Sequence, residues 1–561
     1  MSTALVEFPN LTKGLQIPDA SAEMAQGSLG VATNCDLTKS GTIKQRYGTA
    51  AADEQIAKIK YAFIHDNAGT PQLCIMRSSG IVSLYGGNGT TLTLEDTASS
   101  GPTNATGSAQ MLRSALSTDN PNTYVASPST VLYRWDGSAW ATVLNSPKCR
   151  YVVQAGWAER LLYCGFDAGA TNGPNGTPVD KSIVGVSNPS EPEVYTTTDT
   201  TSIAPGDGED IMGAVTYNGQ TFVFKKMSFF VFYGESGSGG SLELLYNQRS
   251  GVGMAAPGCV TVGPDGVYFL ADDGIYRTTG GTATCISDQI NGIFTGDLPS
   301  WTPYDRNLNS PDTPLAKFAT AGDKIYCAVS NYPFTSFDET DGTESCSVIL
   351  VYDTTMQAWI GYYDYPAASL LAMPWPDLSF PLVVGVAPDP AIQTGITYTP
   401  FVFHPLLSGD LGEDNPVYPV VAQLNWFQTP DARGYVGLDQ AAIHRADLWG
   451  SGTFDVATVI DYQRDAQTSK EVDFGDSNPS LADVWGDGTV VTDVWGDGSD
   501  ATDVWGAGTG SETDLIRLYP PTHKYLFAPK GRGNYLAIRF SKTATSSYAY
   551  LNPPRVTLQS R

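Results

Sequence analysis

The sequence predicts an all-β chain: a β-propeller of six to eight blades over residues 51–425, followed by a C-terminal β-sandwich over residues 426–561. Three observations predict it. Short β-branched and aromatic runs closed by Gly, Asn, Asp and Pro recur from residue 60 onward, as at 60–64, 72–76, 81–85, 124–126, 131–135, 160–164, 221–225, 229–233, 266–270, 324–329 and 348–353. Regularly spaced strands with turn signals between them point to a sandwich, barrel or propeller. Amphipathic helical spacing, in contrast, is confined to a short stretch near residues 51–60. Finally, four segments share one pattern of apolar strand, turn, apolar strand and polar end: 123–143, 221–234, 266–281 and 324–363. Each reads as a meander with an uncovered face, and radial stacking of such blades covers that face while leaving only short edges.

The elements follow in order. Residues 1–50 read as an N-terminal arm and hairpin, the latter at 39–48. Residues 51–425 supply the blades, at an irregular spacing that leaves their number between six and eight. After residue 426 the runs ARGYVGLDQAAIHRADLWGSGTFDVATVIDYQRD, KYLFAPKGRGNYLAIRFSK and PPRVTLQSR alternate as strands of a separate sandwich.

Composition narrows the function classes. The 561 residues include 58 Gly and 36 Pro, and 58 acidic side chains face 32 basic ones, a formal net charge of -26. An isoelectric point near 4.4 argues against a surface that wraps nucleic acid, because affinity for phosphates comes from Lys and Arg displacing counterions. Eight scattered cysteines with no C-x-x-C pair read as buried, reduced thiols rather than a disulfide framework or a zinc site. The first residues carry neither a basic start nor an apolar run, so no secretory signal is expected. The most apolar region, 369–388, is broken by Pro374, Pro376, Asp377 and Pro381 and is too interrupted for a membrane helix. A soluble protein made in a reducing compartment is expected.

Within the sandwich region lies a low-complexity insert, residues 476–514, with nine acids and no Lys or Arg. Three D-V-W-G-x-G copies place Asp483, Asp493 and Asp503, with Trp485, Trp495 and Trp505, at intervals of ten. A related D-L-W-G-S-G stands at Asp447 to Gly452. In an extended chain an even interval puts the three indoles on one face. Three readings stand side by side. The insert is a surface loop that tolerates length, since closure entropy grows slowly; or it is a partner-binding arm, since Trp is enriched in interfaces; or it ligates calcium, although the spacing of a known calcium loop is missing.

No catalytic constellation emerges. The histidines His65, His404, His444 and His523 are far apart, and neither a G-x-S-x-G elbow nor a Gly-rich loop ending in Lys-Ser/Thr occurs. The run 234–241, GESGSGGS, reads as a hairpin loop. Asp338, Asp341 and Glu344 could hold calcium but read as a solvated loop. The segment RWDGSAW (134–140) is the nearest match to the repeated turn of sialidase propellers, and it lacks the Ser and the spacing. The chain is therefore expected not to be an enzyme and to need no cofactor and no metal.

Set in order, the segments resemble a family of phage virion proteins, the propeller-bearing tail nozzle or tail tubular proteins of short-tailed phages. The stretch from Lys13 to Ala50 looks like that family's opening segment, with an Asn-Cys-Asp strand and a basic, Gly-ended hairpin. RLLYCGF (160–166) and SIVGVSNPSEPEVY (182–195) are similar to its strand pair ending in Ser-x-Pro-x-x-Pro. The segments 210–234, 249–281 and CISDQI (285–290) follow in the family's order, and VILVYDTTMQAWIGYY completes the set with Tyr352, Asp353 and Trp359 in a turn. Residues 210–290 are the most specific part, and the D-V-W-G repeat departs from the family pattern.

The resemblance implies a structural virion protein assembled in the host cytoplasm into a tail. It implies a homo-hexameric ring that conducts and retains packaged DNA without sequence-specific binding, with portal or adaptor proteins on one side and tail fibres or spikes as further partners. On that reading acidic loops face the DNA, while the basic clusters Lys39, Lys44 and Arg46, and Lys530 and Arg532 (with Lys524 and Arg539), face neighbouring subunits. The alternative is a propeller-based adsorption protein that binds or hydrolyses host glycans.

Overall fold

The structure, a computed structural model, describes residues 3–560 except 8–10, 17–27, 47, 52–55, 58, 68, 78–80, 88–91, 99–100, 102–107, 113–120, 156–158, 168, 170, 196–198, 234–242, 249–250, 256–257, 296–315, 331–346, 365–368, 373–381, 386–396, 399, 405–418, 425–426, 429–440, 452, 461–467, 474–522, 528–534, 544–549 and 552–554. Among the described residues helical turns are short, at Pro174–Gly176, Asp288–Ile290 and Gly292–Thr295. The chain forms two compact units, one made mainly of Tyr47–Pro416 and the other of Met1–Gln16, Met24–Arg46 and Val417–Arg561.

The larger unit is a seven-bladed propeller. Blade one is Ile59–Asn67, Thr70–Arg77, Val82–Gly87 and Leu92–Ala98; blade two is Ala109–Leu112, Asn122–Val125, Tyr133–Trp135 and Trp140–Thr142. Blade three is Tyr151–Gln154, Leu161–Cys164, Ile183–Val186 and Thr200–Ser202; blade four is Ile211–Tyr217, Gln220–Lys225, Phe229–Tyr233 and Glu243–Gln248. Blade five is Val260–Gly263, Gly266–Leu270, Ile275–Thr278 and Thr284–Cys285; blade six is Ala316–Ala321, Lys324–Ser330, Ser347–Asp353 and Ala358–Asp364. Blade seven is Ser369–Ala372, Leu382–Gly385, Pro400–His404 and, from far earlier in the chain, Gly48–Ala51. The first strand of each blade lies beside the first strand of the next, and that of blade seven beside that of blade one, which closes the circle.

The closing strand corrects one expectation. The stretch near residues 51–60 has helical spacing, yet Gly48–Ala51 pairs antiparallel with Pro400–His404, Ile56–Ala57 pairs with Thr397–Tyr398, and Ile59 begins blade one. An open sheet edge that needs a partner outweighs a weak local preference for helix.

Each blade packs its faces against its neighbours, so a middle strand such as Phe229–Tyr233 is apolar on both sides rather than alternating. Phe222, Val223 and Phe224 are all fully buried. The apolar clusters span consecutive blades: Phe63, Met76 and Leu84 of blade one pack with Val125 and Trp135 of blade two, and Leu162 and Val184 of blade three with Val223 and Phe230 of blade four. Between blades four and five the Phe224 and Phe269 rings stand 4.8 Å apart.

Polar side chains finish the turns. Ser146, Ser187 and Ser287, all buried, accept hydrogen bonds from the backbone N–H groups of Leu132, Leu161 and Ile275 at 2.7, 2.9 and 2.9 Å. Asp136 accepts from the N–H groups of Ser138 and Ala139, and Asp353 from those of Thr355 and Met356. Both aspartates turn the hairpin between the third and fourth strands of a blade, and in each case an aromatic pair flanks the turn, Trp135 with Trp140 and Tyr352 with Trp359. The flanks of the Gly-Ser run pair as a hairpin, Phe229–Tyr233 with Glu243–Gln248; the run itself lies outside the described residues.

The smaller unit is the β-sandwich. One sheet has the order Thr3–Glu7, Arg555–Ser560, Ala441–Ser451, Tyr550–Leu551, Ile43–Gln45 and Cys35–Leu37, with His523–Phe527 also on Ala441–Ser451. The other runs Leu29–Thr33, Pro419–Leu424, Tyr535–Thr543, Thr453–Ile460 and Thr468–Asp473. Alternate residues form its core: Val420, Ala422 and Leu424, Phe454 and Val456, Ile538 and Phe540 are buried, while Asp455 is exposed. Residues 1–46, read from sequence as a separate arm and hairpin, therefore contribute strands to this unit, which the C-terminal segment does not complete alone.

Replacing Phe224 by Ala is expected to destabilise the propeller by about 3–5 kcal/mol. Ser287→Ala, which leaves the Ile275 N–H without its acceptor, is expected to cost about 1–3 kcal/mol. Denaturant midpoints of the two variants measure both.

Candidate functional site

The sequence-predicted contact residues fall in three situations. Lys39 is exposed at the tip of the turn between Cys35–Leu37 and Ile43–Gln45, and Lys44 is half-buried on the second of these strands. Arg46, expected at a subunit contact, is 1% exposed. Its Nε donates to Asn34 Oδ1 at 3.1 Å, and its backbone N–H donates to the Asn34 carbonyl. A side chain so enclosed offers no surface to a neighbour, so Arg46 is a fold residue. Lys530, Arg532 and the repeat residues Asp483, Trp485, Asp493, Trp495, Asp503 and Trp505 lie outside the described residues, as do Asp338, Asp341 and Glu344.

Other charges make contacts within and between blades, and sequence alone did not single them out. Lys225 ends the second strand of blade four and is fully buried. Its ammonium donates to both Asp207 oxygens at 2.9 and 2.8 Å, to Ser182 Oγ at 3.1 Å and to the Ala204 carbonyl at 3.3 Å. Ser182 and Lys225 thus have the proximity of a nucleophile and base, but a carboxylate holds the amine with both oxygens, and the group serves to join blades three and four. Arg160 donates to the Ser187 carbonyl and to Asp199. Glu193 collects the Tyr124 hydroxyl at 3.0 Å and the Arg134 guanidinium at 2.9 Å, between blades two and three. The partners in these contacts stand 18 to 69 residues apart, a separation that no local motif records.

The inner strands are nearly free of charge. Across all seven, the charged residues are Lys60, Asp66 and Lys317; burial pulls the half-buried Lys317 ammonium below the usual lysine range. Ser108 with Val152, and Thr261 with Thr320, bond across adjacent blades there. The acidity of the chain lies elsewhere than on these strands.

The cysteines Cys35, Cys74, Cys149, Cys164, Cys259 and Cys327 are buried free thiols and Cys285 is half-buried; burial pushes Cys35, Cys74, Cys149, Cys164 and Cys327 well above the ordinary thiol range, which suits packing and not nucleophilic attack. Among the described residues no group of three or more His, Cys, Asp or Glu side chains is placed to hold a metal ion, and no helix is long and apolar enough to cross a membrane.

Comparison with known proteins adds no family. No family model matches the chain, and no curated protein matches it. Solved structures similar to it include the crystal structure of BBS1N in complex with ARL6DN, soaked with lead, at TM-score 0.36 and 10% identity over 67% of this chain and 99% of that one. The same complex soaked with mercury gives TM-score 0.37 at the same identity and coverage. The propeller assignment here stands on strand order and ring closure.

Asp207→Ala is expected to cost about 3–5 kcal/mol, because it strands a buried ammonium. Lys225→Met, which removes the charge and keeps the volume, is expected to cost less. Urea unfolding of the two variants orders them.

Proposed function

We propose that the chain is a structural protein of a bacteriophage tail, a nozzle subunit that assembles into a homo-hexameric ring conducting and retaining packaged DNA and docking fibres or spikes. The observation that carries this reading is the order of the segments resembling the nozzle family. They run through consecutive blades: 160–195 in blade three, 210–234 in blade four, 249–290 through blade five and 347–363 in blade six. The residues that carry the resemblance are those that build blades. Ser187 and Ser287 cap strands, and Asp353 turns the hairpin that positions Trp359, whose indole N–H donates to the Ile286 carbonyl of blade five.

The charge suits the role. A conduit for DNA should not hold phosphates, and a net charge of -26 repels them at short range, beyond which salt screens the effect over about 8 Å. The repeat Asp483 to Trp505 and the cluster Lys39, Lys44, Lys530 and Arg532 are the proposed partner and subunit contacts on this reading.

Light scattering and electron microscopy of the purified full chain test it. Closed rings with a mass six times that of the 59.8 kDa chain and an open axis are expected. A persistent monomer that releases sugars from host glycans would overturn the reading in favour of an adsorption protein.

A further inference from the structure

The seam between blades one and two holds a histidine that no structural duty fully satisfies. His65, on the first strand of blade one, is fully buried. Its Nδ1 lies 3.0 Å from Thr123 Oγ1 of blade two, while Nε2 is buried without a hydrogen-bond partner. The hairpin RWDGSAW lies over Nε2 beside the Asn67 side chain: a Cβ on Gly137 would lie 2.9 Å from Nε2 and 3.4 Å from Asn67 Oδ1, and Gly137 adopts φ +97°, which favours glycine. The Trp135 ring stands edge-on to the imidazole at 6.5 Å and packs against Trp140 at 5.0 Å.

In the tautomer whose Nδ1 proton is donated to Thr123, Nε2 presents a lone pair to the Gly137 turn. Adding a proton there creates a buried cationic donor with no acceptor, which is costly. The groups able to answer it are few. On its own strand stands Asp66; on the blade-two hairpin stands Asp136; opposite it on Thr70–Arg77 is the uncharged Gln72, with the buried Cys74 thiol beyond. Arg134 is turned away to Glu193. Asp136, however, is already engaged by the Ser138 N–H and hydroxyl and the Ala139 N–H. It holds the turn that lies over Nε2.

We infer that His65 and the hairpin at residues 133–142 form an acid-operated latch between the first two blades. The latch is shut while the imidazole is neutral and opens when protonation draws Asp136 from its turn and lifts Gly137 from Nε2. The direction follows from linkage. Burial holds the shut imidazole below the ordinary histidine value, against the pull of Asp66 and Asp136. The open form, with the ring in water, binds the proton more readily, so falling pH favours opening. The latch is independent of the proposed tail role, since it rests only on this seam.

Hydrogen exchange of the full chain, corrected for the intrinsic effect of pH, tests it. Protection of residues 133–142 should fall about tenfold per pH unit below about pH 6.5, while the hairpin between Phe229–Tyr233 and Glu243–Gln248 holds its protection. His65→Gln should abolish the pH dependence. Asp136→Asn, which keeps an acceptor for the turn but removes the charge, should move the onset to lower pH, a shift that a purely structural role would not produce. Protection independent of pH in the unmodified chain, an unchanged fall in His65→Gln, or an unmoved onset in Asp136→Asn overturns the latch.

Discussion

A four-stranded sheet with two apolar faces cannot be left with either face in water, and the larger unit is arranged around that constraint. Each blade covers one face of the next, and seven blades leave no face over only when the last meets the first. Clusters such as Phe63, Val125 and Trp135, or Val184, Val223 and Phe230, are therefore shared between blades. No blade owns its core. The Gly48–Ala51 strand matters for the same reason: it fills the outer edge of blade seven from the other end of the propeller segment and ties the two ends of the ring together.

The same constraint explains where polar groups are tolerated inside. A charge buried in a seam must be met. Lys225 has a carboxylate, a hydroxyl and a carbonyl; Arg160 has a carbonyl and a carboxylate; Glu193 has a phenol and a guanidinium. His65 has one nitrogen answered and the other merely covered, as are the Trp135 and Trp140 indole N–H groups of blade two. The excess of acid is kept off the inner strands, which carry Asp66 alone among carboxylates, and so is available to outer loops and to whatever those loops face.

Much of the fold was legible because its signals are local. Runs such as 229–233 and 266–270 coincide with observed strands, and the turns at Asp136 and Asp353 were visible as Asp between aromatics. Blade seven was not, since its strands are short and separated by Pro-rich stretches and its fourth comes from residue 48, a pairing about 350 residues away that leaves no periodic trace. The joining of residues 1–46 to the sandwich was hidden for the same reason. Charge position was less legible still. Arg46 reads as surface by type, and only the Asn34 carbonyl and amide oxygens that enclose it show otherwise; His65 was one histidine among four until Thr123 and Gly137 converged on it.

The central claim, that the propeller is one closed ring whose integrity depends on the Gly48–Ala51 strand, is open to direct measurement. Ala50, paired with Val402, can be replaced by Pro, and hydrogen exchange followed blade by blade. Closure predicts that protection falls together in blade seven and in blade one, Ile59–Ala98, on its far side. Loss confined to Gly48–Ala51 and its partner Pro400–His404, with blade one unchanged, would contradict it.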